Sequence, residues 1–301
     1  MSPSFPTAPP PKSEKRNQHY VPRWWLRHFA AADGTLHALR GQTTSVVGVG
    51  KIMNGDWIYT LFDEWWRPSD ALEDALGPVE NTASVAFQNL ASAAADPEDW
   101  EVAIGFIAIC VCRHPETMER MHVLGKEYGL FLGTVDDFQT EADFRAAALQ
   151  RFGADPGDGA YDALVGTPAE DREGAILSLI DMPPYDPRLP QTDALRAAGL
   201  IEGALTRMDR RLLRAPPGET FVFGDRPFPA RDLTLGFTIP LSRSIALEFS
   251  VCKRATPALT ETQATPMEVQ TVNDAQAGRA KTLIVGADAT LLRGLGPVPR
   301  P

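Results

Sequence analysis

TFVFGDRPFPARDLTLGFTIPLSRSIALEFSV, residues 220–251, is the stretch on which the fold turns. Residues 220–224, 235–241 and 244–251 are short apolar runs, rich in β-branched residues and phenylalanine. Turn signals separate them, so they read as strands, and KTLIVGA (281–287) reads as a further strand of the same sheet. Upstream the pattern becomes helical. Residues 68–95 carry helical spacing interrupted at Gly77-Pro78, which predicts a kink or a split because proline removes one backbone bond. Ser69 or Asp70 can cap this stretch, and Asp70 with Glu73 three residues on resembles a capping box. Asp96-Pro97-Glu98-Asp99 opens a helix running to about His114, and residues 118–131 resume one after Pro115. Residues 138–152, 168–180 and 191–213 are three more helical stretches. Near the start, residues 35–39 and 44–49 read as two short strands.

Strands at both ends with helices between them predict an α+β fold. The expected form is a central helical bundle packed on a small, mostly antiparallel sheet built from the N-terminal and C-terminal segments. Residues 1–16 hold five prolines and read as a disordered tail, 17–296 as a single domain, and 297–301 as a tail.

The chain has 301 residues, 44% hydrophobic and 23% charged, which suits a globular protein. Its net charge of −10 argues against a broad nucleic-acid coat. The charge is uneven, however. From Lys12 to Arg40, six basic residues face Glu14 and Asp33, so this segment is +4 and the rest −14. A local basic site on an acidic body fits a small anionic ligand or a nucleotide. The longest apolar run, residues 102–112, is too short to span a bilayer. No secretory signal opens the chain, so no membrane association and a cytoplasmic location are expected. Cys110, Cys112 and Cys252 make no disulfide framework.

The basic segment centres on NQHYVPRWWLRHFA, residues 17–30. A helix from Pro22 to about Ala31 would put Trp25, Leu26 and Phe29 on one apolar face. Arg23 and Arg27 are i, i+4 neighbours on another, where two like charges call for an anion or a carboxylate opposite. His19 precedes the helix and could serve as acid or base. The competing reading pairs these arginines with the protein's own Glu73, Glu80 or Asp225. Glu73 and Glu80 share a helix face about 10 Å apart. Arg113 ends an apolar helix, where it either complements the dipole or joins the site. Asp225, between a strand end and Arg226-Pro227, is a candidate catalytic acid or a turn former. With His19 and Glu80 it would offer a divalent metal a His/carboxylate set, although no short-spaced metal signature is present. Phosphate-binding glycine loops and nucleophile elbows are absent from the sequence.

Several of these segments together resemble one bacterial family. They are HYVPRWWLRHF (19–29), LEDALGPVE (72–80), CRHPETMERM (112–121), FVFGDRPF (221–228) and IPLSRSIAL (239–247). The resemblance, over about residues 17–250, is to domain-of-unknown-function family 4238. That family typically opens with His-Tyr-Val-Pro and closes with Ser/Thr-Asp-Asn-Pro. Here Gly224 and Arg226 stand where the family pattern has Ser/Thr and Asn, while Asp225 and Pro227 match. The resemblance implies no reaction, but some members are associated with defence against phage. Two functions follow. One is a hydrolase- or nuclease-like enzyme acting on a phosphate-containing or other anionic ligand. There His19, Glu80 and Asp225 are catalytic, and Arg23, Arg27 and Arg113 bind the ligand. The other is an antiphage sensor or interaction protein in which the same residues form a polar lock.

Overall fold

A computed structural model describes residues 16–62, 68–152, 155–179, 194–195, 197–230 and 233–299. Most of the expected N-terminal tail and residues 191–193 of the third helical stretch lie outside them. Along the chain come β1 (Asn17–His19), α1 (Arg23–Arg27), β2 (His37–Arg40), β3 (Thr43–Val46), β4 (Asn54–Asp56), β5 (Leu61–Phe62) and β6 (Pro68–Ser69). Helices follow as α2 (Ala71–Ala91), α3 (Pro97–Arg113), α4 (Pro115–Leu132), α5 (Glu141–Phe152), α6 (Ala160–Val165), α7 (Arg172–Leu179) and α8 (Ala198–Thr206). The chain then returns to strand in β7 (Asp209–Arg214), β8 (Phe223–Gly224), β9 (Phe237–Pro240), β10 (Ile245–Ser250) and β11 (Leu259–Gln263). It ends with α9 (Pro266–Arg279), β12 (Ile284–Gly286) and α10 (Ala289–Gly294). The class is α+β, as the pattern of strands and helices predicts.

The described residues gather into two compact units, where the sequence reading drew one domain over 17–296. The smaller takes in Leu61–Ser69 and Cys112–Ala197; the larger takes in Ser13–Thr60, Asp70–Val111 and Ala198–Pro301. The smaller has its own core, in which Phe131 stacks on Phe144 at 5.5 Å beside buried Leu132 and Leu164.

The larger unit holds two four-stranded sheets rather than the single one expected. One has the order β3-β2-β12-β8 and joins N-terminal to C-terminal strands; the other has the order β11-β7-β10-β9. Every pairing is antiparallel except β11 with β7. Residues 209–214, read from sequence as the end of a helix, form β7. That strand pairs on both edges, with β10 and with β11, and buries Leu212 and Leu213. Pairing partners more than thirty residues away override a local pattern that suits either state. The core joins these sheets to α1, α2, α3 and α8. Trp25 packs 5.1 Å from Phe87 of α2 and 5.2 Å from Phe223 of β8, and Phe29 lies 5.0 Å from Phe223. Each such burial is worth roughly 1.5–3 kcal/mol.

Two helical expectations need correction. Gly77-Pro78 does not split α2, which is continuous over Ala71–Ala91. Pro78 is exposed, so its ring projects into solvent and the helix runs on past it. Asp70 is the N-cap residue, but its side chain makes no capping bond. The reciprocal box forms at α3 instead, where Asp99 N donates to Asp96 Oδ1 at 2.9 Å and Asp96 N to Asp99 Oδ2 at 3.1 Å.

β8 is held at its free edge by side-chain amides of α9. Asn273 Oδ1 accepts from Val222 N at 2.9 Å, and Gln276 Oε1 accepts from Gly224 N at 3.0 Å. Their amide groups donate back, to Thr220 O at 2.9 Å and to Pro227 O at 3.2 Å. The two amides thus replace a missing neighbour strand. The close approach explains Gly224, since a Cβ there would fall 3.0 Å from Gln276 O.

Candidate functional site

The site begins in a two-stranded ribbon. β1 pairs with β4 so that His19 lies opposite Asn54 and Asn17 opposite Asp56. Tyr20 N donates to Met53 O at 3.1 Å and extends the pairing. Gln18, on the other face, is fully buried. It donates to Thr60 Oγ1 at 3.1 Å and accepts from Tyr59 N, which fixes the ribbon to the chain behind it.

Pro22 then starts α1 without a side-chain cap. The helix is only Arg23–Arg27, shorter than the expected span to Ala31. Its continuation tightens to i→i−3 bonds, Phe29 N to Leu26 O and Ala30 N to Arg27 O. Asp33 accepts from Thr35 N at 2.8 Å and closes the turn that stops it. A helix of five residues contributes little dipole, so any attraction for an anion here comes from side chains. The apolar face is as predicted: Trp25, Leu26 and Phe29 are buried.

Arg23 and Arg27 are exposed. Neither is joined to a carboxylate among the described residues. Arg23 lies against the backbone of Gly50, whose Cβ, if present, would be 4.0 Å from the guanidinium carbon. Its Nε points to His19 Nδ1 at 3.4 Å. An arginine nitrogen only donates, so in this bond Nδ1 accepts and the neutral ring carries its proton on Nε2. His19 is 7% exposed. Asn54 Nδ2 stands 3.5 Å from Nε2 and donates to Gly50 O at 3.1 Å; with Nε2 as the ring N–H the two nitrogens meet as donors, so this is a contact and not a hydrogen bond. His19, Arg23 and Asn54 therefore form one cluster, and Asn54 carries no motif that a single sequence would reveal.

The other predicted residues are placed differently. Asp225 is 4% exposed, and its carboxylate serves the loop before β12. It accepts from Lys281 N and Thr282 N at 2.8 Å each, from Leu283 N at 3.3 Å, and from the Thr282 hydroxyl. Glu73 and Glu80 are half-buried on α2. Because α2 is unbroken, their spacing stays near 10 Å. Arg113, at the end of α3, is 1% exposed and belongs to the smaller unit. Among the described residues no three His, Cys, Asp or Glu side chains gather as a metal-ligand set, so His19, Glu80 and Asp225 do not form the metal centre considered above. Burial pushes the Cys112 thiol up to about 12, which leaves it inert as a nucleophile near neutral pH.

The molecule is thus an α+β protein whose exposed arginine rests on a buried histidine at one edge of a strand ribbon. The chain belongs to the family described as Protein of unknown function (DUF4238), whose profile matches residues 17–290. No curated protein and no solved structure matches it. Among the described residues no helix is long and apolar enough to cross a membrane.

Proposed function

We propose that this chain is a hydrolase- or nuclease-like enzyme of the bacterial cytoplasm that acts on a phosphate-containing or other anionic ligand. One observation carries the reading: an exposed Arg23 without a carboxylate partner among the described residues donates toward the buried His19 ring. In an acidic protein, uncompensated arginines one turn apart favour an external anion. Arg23 and Arg27 neutralise the ligand, and His19 moves a proton. Asp225 acts as a lock rather than as the acid. The test is titration with inorganic phosphate together with hydrolysis of bis-p-nitrophenyl phosphate. Arg23→Ala is expected to weaken phosphate binding. His19→Gln should keep binding and slow turnover by about 10²–10⁴-fold. Unchanged phosphate affinity in Arg23→Ala would refute the reading.

The second reading, an antiphage sensor or interaction protein without chemistry, is favoured by the full engagement of the Asp225 carboxylate. A host expressing His19→Gln and challenged with phage separates the two. Undiminished protection together with no hydrolytic activity in the wild type favours the sensor.

A further inference from the structure

Gly50 belongs to a single 3₁₀ turn, Val49–Lys51, in which Lys51 N donates to Gly48 O at 2.9 Å. A Cβ on Gly50 would stand 4.0 Å from Arg23 Cζ and 4.0 Å from Arg23 Nε. No other atom of a described residue comes within 4 Å of that point, its chain neighbours aside. A point in the guanidinium plane beside the Nε–Cζ bond would lie closer still to Nη2 on one side, or to Cδ and Nη1 on the other. The Gly50 Cβ position therefore lies over the face of the guanidinium, and the bare glycine backbone packs against that face.

The glycine and the histidine are parts of one frame. Val49 packs against the core, and the Gly50 carbonyl accepts from Asn54 Nδ2 at 3.1 Å. Asn54 stands opposite His19 in the pairing of β4 with β1, and Arg23 Nε points to His19 Nδ1 at 3.4 Å. The guanidinium is thus placed by Gly50 at its face and by His19 at its Nε. Its outward edge is Nη1 and Nη2, which have no partner among the described residues. Two N–H groups in a fixed fork match two oxygens of one anion. Backbone conformation does not require glycine here, since φ of Gly50 lies outside the left-handed region. A side chain would instead act on Arg23. A β-branched residue carries two γ carbons about 1.5 Å beyond Cβ. They fill two of the three staggered positions, so the side chain cannot turn wholly away from a plane that Cβ already touches.

We propose that Gly50 is a positioning residue: its bare backbone carries the guanidinium face, keeps Nε on His19, and leaves the Nη1/Nη2 edge to two oxygens of a phosphate-type anion. This rests on the reading that Arg23 and His19 serve such an anion, and the experiment separates the two. Calorimetric titration of the full chain with inorganic phosphate is paired with ¹⁵N NMR of the His19 ring. Gly50→Val should weaken phosphate binding by about ten-fold to about 150-fold, the loss of one charged hydrogen-bond contact. It should also move the His19 Nδ1 resonance as Arg23→Ala does. Gly48→Val, in the same turn, should change neither, because φ of −86° suits any residue and a Cβ there meets nothing within 4 Å. Gly50→Thr has the shape of valine and suits a half-buried turn, so it decides the matter if Gly50→Val melts early. Wild-type affinity and an unmoved His19 resonance in Gly50→Val, where Arg23→Ala changes both, overturn the role of Gly50 and leave the anion reading standing. An equal loss in Gly48→Val overturns it as well. If the wild type binds no phosphate, both fall together.

Discussion

Replacing Asp225 by asparagine leaves one acceptor oxygen where a carboxylate now meets at least four donors, three of them consecutive backbone N–H groups. The amide can turn its oxygen toward Thr282 and Leu283, but its NH₂ then faces Lys281 N. One buried N–H is left opposed by another donor, a cost of about 1–3 kcal/mol. The surviving bonds fall from charge-assisted to neutral strength, and relief of burying a charge offsets part of that loss. The expected net destabilisation is about 2–4 kcal/mol, and Asp225→Ala, which strands every donor, should cost more. Urea unfolding followed by tryptophan fluorescence reads it, because Trp24, Trp25 and Trp100 lie in or against the core of the same unit. The midpoint should fall with the slope unchanged. If Asp225→Asn keeps wild-type stability to within about 0.5 kcal/mol yet abolishes activity, Asp225 belongs to the chemistry and the lock is wrong.

Three further outcomes follow from local geometry. Burial lowers the pKa of His28, whose Nε2 is enclosed without a hydrogen-bond partner. The unfolded chain therefore takes up a proton near pH 6.5 while the folded chain resists. Stability should fall as pH drops below about 6.5, by at most about 1.4 kcal/mol per pH unit, and level off below the folded pKa. Melts of His28→Phe, which keeps a ring against Trp24, should lose this slope. Ala93, with φ of 58°, sits just past the end of α2, where Ala94 N donates to Asn89 O at 3.0 Å. Ala93→Gly should stabilise by about 1 kcal/mol in a thermal melt. Arg214 donates to Leu90 O at 2.9 Å and Ala91 O at 2.7 Å, closing the C-terminal end of α2 from β7. Arg214→Ala should cost about 2–3 kcal/mol in urea titrations, and Arg214→Lys should recover only part, since one ammonium cannot reproduce the fork.

Much of this protein was legible in local pattern. The apolar face of Trp25, Leu26 and Phe29, the start of α3 at Asp96-Pro97, and the strands around residues 223, 237, 245 and 284 are each written within a few turns or residues of chain. So was the contact of Arg23 with His19, because four residues separate them. Contacts distant in sequence decided the rest. Residues 209–214 became a strand because β10 and β11 were there to pair with them. Asp225 is tied to the loop before β12 because Thr282, fifty-seven residues on, presents its N–H to it. Asn54 came beside His19 only through the pairing of β4 with β1. Residue type and spacing determine which helices and strands are available. Which donor meets which carboxylate, and which arginine is left to face a ligand, depends on where packing brings remote segments together.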